Sequence, residues 1–97
     1  MAIKFIVMAN LWRDKINGNT YHSVNITDAA TNKLIFSSGL TYGYGEQYRY
    51  TARDALVALK RITEEQAHDH VFMRESVYFA VNENALKRDL NKIEVDA

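Results

Sequence analysis

A chain of 97 residues, 47% hydrophobic and 25% charged, has the balance of one globular domain, and neither two cores nor a disordered polymer fits it. It contains no cysteine, which excludes disulfides, thiolate catalysis and zinc–thiolate sites. Twelve basic residues against twelve acidic ones give a formal charge of zero, so duplex nucleic acid is an unlikely partner, since binding it rests on neutralised phosphates.

The opening "MAIKFIVMANLW" is apolar but short. It lacks the charged start and cleavage site of a secretory signal and the length of a membrane span, so the cytoplasm is the expected location. Within it Ile3, Phe5 and Val7 alternate with Lys4, Ile6 and Met8, which predicts a central strand with two largely apolar faces. "NLWRDKINGNT" follows, and Asn17-Gly18 marks a reversal. Lys4, Arg13 and Lys15 against Asp14 alone give this first part of the chain a local basic excess. Trp12-Arg13-Asp14-Lys15 has the composition of an interface anchor; a lid over the sheet end is the equal alternative.

"YHSVNITD" predicts a second strand by its period of two. His22, Val24 and Ile26 form the core face; Tyr21, Ser23, Asn25 and Thr27 form a polar row, solvated or facing a ligand. His22 and Ser23 therefore point to opposite faces and cannot act as base and nucleophile. "DAATN" is a turn and "KLIFSS" a third strand, with an antiparallel meander the economical topology.

"GLTYGYGEQYRY", residues 39 to 50, holds four tyrosines and three glycines and lies between the third strand and a helix. Gly43 and Gly45 just before a helix start offer free N–H groups to an anion, and Tyr42 and Tyr44 offer ring faces. No phosphate-loop or dinucleotide spacing accompanies them, and the same residues also suit a turn whose tyrosines cover the sheet end. Tyr48, Ala52, Ala55, Leu56, Leu59 and Ile62 make one helical stripe. "TEEQ", 63 to 66, reads as a capping box before a short helix through "AHDHVFM". His68 and His70 flank Asp69, but on a helix such positions diverge by about 200°, so a solvated surface is expected instead of a metal site. "SVYFAV" predicts a fourth strand. Asn82 or Asn84 is expected to cap a last helix in which Leu86, Leu90 and Ile93 share a face. The order β-β-β-α-(α)-β-α predicts an α+β domain over residues 1–97, a four-stranded antiparallel sheet with helices on one face.

Three strings, "WRDKINGNTYHSV", "FSSGLTYGYGEQYRYTARDAL" and, more loosely, "FAVNENALKRDL", cover about half the chain and resemble small accessory proteins of bacteriophages and mobile elements. No assigned activity travels with that resemblance, so no functional residue is carried over. It implies a setting in which proteins of this size disarm a host system by binding, as anti-CRISPR proteins do. The neutral charge argues against DNA mimicry. The leading expectation is a non-enzymatic binding protein that blocks a host defence component through Trp12, Arg13, Tyr42, Tyr44 and Tyr48. The alternative is capture of a nucleotide, cyclic nucleotide or single strand by Gly43, Gly45 and Arg49 with Tyr21, Ser23 and Asn25. An enzyme ranks third, because no carboxylate pair, metal cluster or activated nucleophile stands out. No cofactor is expected. Oligomeric state stays open, since a small sheet with a free face or edge often pairs with a second copy.

Overall fold

The computed structural model describes residues 3–43 and 45–95. Its elements in chain order are β1 (Phe5–Asp14), β2 (Asn19–Asp28), β3 (Lys33–Ser37), the two-residue β4 (Thr41–Tyr42), α1 (Gln47–Ala58), α2 (Glu64–Ala67), α3 (His70–Ser76), β5 (Val77–Asn82) and a 3₁₀ turn, Lys87–Leu90. The domain is α+β, as expected, but the sheet is five-stranded and mixed. Strands run β3-β2-β1-β5, with β4 pairing beside β3 on β2. β1, β2 and β3 form the expected antiparallel meander. β5 instead lies parallel to β1, Phe5 opposite Val77 through Asn10 opposite Asn82. The reason is the crossover: three helices separate β4 from β5, and a strand returning over helices enters the sheet in the parallel sense.

Alternation along β1 and β2 builds the core. Val7, Val24 and Ile26 are fully buried, joined by Phe5 and Ala9, and each buried aliphatic side chain contributes roughly 1.5–3 kcal/mol. The predicted stripe of α1 covers them with Tyr48, Ala52, Ala55 and Leu56, and Ile62 follows beyond the helix. Leu59 stays 42% exposed because the helix has ended there. Lys60 adopts φ +60°, its N–H bonds the Val57 carbonyl, and the Arg61 N–H reaches the Leu56 carbonyl; together these close the helix by a left-handed cap. Arg61 then pairs with Asp28 at 2.9 Å, tying this helix end to the end of β2.

The capping box forms as read: Thr63 Oγ1 accepts from the Gln66 N–H, and Gln66 Oε1 accepts from the Thr63 N–H. The single short helix expected after it is two helices, broken where the Asp69 carboxylate caps Val71 and Phe72. Ala67, Phe72 and Met73 pack into the same core as α1, so all three helices share one face of the sheet.

The expected last helix is absent among the described residues. Leu86 and Ile93 are half exposed and only Leu90 is buried, so these three do not share a face, and one 3₁₀ turn replaces the helix. Residues 83–95 form a strap across the second face of the sheet instead. Ala85 N–H bonds the Leu11 carbonyl, Asn10 Nδ2 bonds the Asp89 carbonyl, and Ile93 N–H bonds Ser37 Oγ. The strap is thus fixed to β1 and to β3 and passes over the intervening β2. No helix among the described residues is long and apolar enough to cross a membrane.

Candidate functional site

The β1–β2 hairpin projects beyond the strap, and its tip is built by one carboxylate. Asp14 Oδ1 accepts from the Ile16 and Asn17 N–H groups, and Oδ2 accepts from Asn17 Nδ2 at 2.8 Å. Gly18, at φ +74°, closes the reversal that Asn17-Gly18 signalled, its N–H on the Asp14 carbonyl at 2.8 Å. These bonds, the Asn17 side chain foremost, hold the Asp14 carboxyl below its ordinary range. The consequence is a braced turn that holds Ile16 94% exposed.

Behind the tip, pairing places an aromatic row on the second sheet face. Trp12 lies opposite Tyr21 and Tyr21 opposite Tyr42. The rings of Trp12 and Tyr21 stack at 5.5 Å and 25°, and Tyr42 meets Tyr21 edge-on at 5.7 Å. Such pairs contribute about 0.5–1.5 kcal/mol each beyond area burial. Lys87 from the strap sets its ammonium 5.7 Å from the Trp12 ring centre. A groove of about 460 Å³ runs between hairpin and strap, lined by Trp12, Arg13, Lys15, Ile16 and Leu86 among others. Tyr42 is 61% exposed and extends the surface at the far side of Tyr21.

One of the expected contact residues leaves this surface. Tyr48 is buried in the core, edge-on to Phe79 at 6.0 Å, and is corrected from a displayed ring to a packing ring. It belonged to the α1 stripe, and the stripe prevailed. Tyr44 lies outside the described residues. Trp12 and Tyr42 remain, brought together by Tyr21, a residue the sequence suggested only for a ligand; Arg13, opposite Thr20 on β2, lines the adjoining groove.

The residues of the alternative site do not converge. Ser23 and Asn25 are buried beneath the strap, which corrects the expectation of an open polar row. The Gly43 N–H is bonded to the Thr20 carbonyl at 3.1 Å. A Cβ on Gly43 would come within 2.5 Å of Gln47 Cγ and 3.0 Å of His22 Cε1, so the protein's own side chains fill the approach that a phosphate needs. Gly45 faces open space, but the residue before α1 is Glu46, whose carboxylate pairs with Arg49 at 2.9 Å. Arg49 in turn lies over Phe79 at 4.7 Å, beside β5 and across the sheet from Gly43.

His22 is fully buried, with Nε2 2.8 Å from Thr51 Oγ1 and Nδ1 3.4 Å from the Gly43 carbonyl. The Gly43 carbonyl only accepts, and the Thr51 hydroxyl that meets Nε2 also lies 3.3 Å from the Gln47 carbonyl. Burial pushes its pKa down, against a smaller upward pull from Gly43. The ring is a structural brace between β2, the glycine loop and α1. Ser23 lies on the other face, as the alternation required. Asp69 is committed to its helix cap.

No family model, curated protein or solved structure matches the chain. The choice of contact surface therefore rests on the geometry. Sequence reading missed Ile16, Leu86 and Lys87. The signal for Ile16 was present, one aliphatic residue inside the polar turn "DKINGN", where strand alternation had already stopped.

Proposed function

We propose that this chain is a non-enzymatic binding protein that blocks a host defence component by docking the hairpin and aromatic row onto a functional surface of that target. The contact centres on Ile16, Trp12, Tyr21 and Tyr42, with Arg13, Leu86 and Lys87 around them. The observation that carries the reading is Ile16, 94% exposed on a turn braced by Asp14. A rigid turn that presents an aliphatic side chain binds without an ordering cost, and burying that side chain in a partner is worth about 1.5–3 kcal/mol. Tryptophan, tyrosine and arginine beside it are the residue types that dominate interface energetics.

Stacking already occupies one face of Trp12 and the strap sets Lys87 near the ring, so the row presents edges and hydroxyls instead of a free platform for bases. A protein surface suits this geometry better than a nucleobase. The resemblance to phage accessory proteins supplies the target class. The test is inhibition of purified host defence complexes, CRISPR effectors among them, by wild-type protein and by Ile16→Asp, Trp12→Ala and Tyr42→Ala variants. Wild-type protein inhibits one such complex, and each substitution weakens inhibition about tenfold or more. Full inhibition by all three variants overturns the assignment.

A further inference from the structure

A second surface, remote from the aromatic row, lies at the other margin of the sheet. Among the described residues, β5 has β1 as its one strand neighbour. The Lys4 N–H bonds the Ser76 carbonyl at 2.7 Å, and backbone direction alternates along a strand. Ser76, Tyr78, Ala80 and Asn82 therefore turn their backbone groups toward β1, while Val77, Phe79 and Val81 turn theirs outward. The Val77 N–H is bonded to the Met73 carbonyl. The N–H and C=O of Phe79 and Val81 have no partner among the described residues. "VYFAVN" has no charge, proline or glycine, the usual devices that protect a strand edge from pairing.

What lies beside this edge gives it a charge preference. A groove of about 450 Å³ follows β5 on the helix side, walled by Arg49, His70, Met73 and Arg74; no carboxylate among the described residues lines it, and of its two arginines Arg49 is paired with Glu46. Arg74 is exposed and has no ion pair among the described residues. We infer that the β5 edge takes up an extended segment of a partner protein by strand addition, and that this segment carries acidic side chains at alternate positions. The outward N–H and C=O groups of Phe79 and Val81 supply the ladder, and the alternate side chains on the helix side meet Arg74, His70 and Arg49. A second copy of this chain suits the edge less well. Two-fold pairing of β5 with itself would bring two copies of the unpaired Arg74 toward one another.

The experiment uses the full chain with two labelled probes, an octapeptide alternating Glu with Val and its Lys–Val counterpart, read by fluorescence anisotropy at low salt and by amide exchange. The acidic peptide is expected to bind about tenfold or more tightly than the basic one and to slow exchange at Phe79 and Val81. Arg74→Glu is expected to reverse the preference while the circular dichroism spectrum stays that of the wild type. Absence of binding, equal binding of the two peptides, or binding that leaves Phe79 and Val81 exchange unchanged overturns the inference. So does a doubled mass in light scattering with these amides already protected in peptide-free protein, which would assign the edge to a second copy. Variants at Ile16 or Tyr42 leave these results unchanged, so this surface and the aromatic one stand or fall separately.

Discussion

His22 spends both ring nitrogens on neighbours, and its neutrality makes the fold sensitive to acid. Its folded pKa lies below the ordinary 6.5, so the unfolded chain binds more protons as pH falls through that region. Its contribution is full above about pH 6.5 and declines below it. Urea midpoints at pH 7.5, 6.0 and 5.0 are expected to fall in that order, and His22→Gln is expected to remove most of that dependence. Asp14 and Asp28 act at lower pH: both are held below 3.8 by hydrogen bonds, so their support is present above that value and is lost as pH drops through their folded pKa values. Lys60 offers the opposite kind of test. It is a side-chain-bearing residue at φ +60°, a conformation that costs such a residue about 1 kcal/mol relative to glycine. Lys60→Gly is therefore expected to raise stability by about 1 kcal/mol, read from the denaturation midpoint. Gly43→Ala is expected to destabilise, because its Cβ would meet Gln47 and His22.

At the scale of elements, the strap is the feature with the least local definition and a large structural role. Leu90 is fully buried on the second face, so Leu90→Ala is expected to cost about 2–5 kcal/mol in urea denaturation. A cost below 1 kcal/mol would mean that the strap is only loosely applied. The same segment shows why sequence reading worked in some places and failed in others. β1, β2, β3, β5 and α1 are written in side-chain periodicity, and the Thr63–Gln66 box and Asn17-Gly18 turn in residue type, so all were legible. Leu86, Leu90 and Ile93 fall at helical spacing by chance of composition; nothing local shows that only Leu90 meets the sheet. Ser23 and Asn25 read as solvated or facing a ligand for the same reason, since their cover comes from more than sixty residues away. The break between α2 and α3 depends on Asp69 serving as a cap, a role the His-Asp-His string disguised.

The whole molecule is a sheet with helices on one face, a strap over part of the other, and two margins of different character. The direction and neighbour of β5 were not legible, because "SVYFAV" encodes a strand and not which strand lies beside it. The docking surface was legible in parts. Trp12, Arg13 and Tyr42 were named from residue type, but Tyr21 joins Trp12 and Tyr42 only through cross-strand register, and Tyr48 obeyed its helical stripe. The central claim is that the braced hairpin and the aromatic row form the face that meets a partner. The most direct measurement is amide hydrogen exchange of the full chain with and without the defence complex it inhibits. Slowed exchange centred on residues 12–18, 21, 42 and 84–87, with α1 and α2 unchanged, is the predicted result; slowed exchange confined to α1 and α2, with the hairpin tip still exchanging freely, would contradict it.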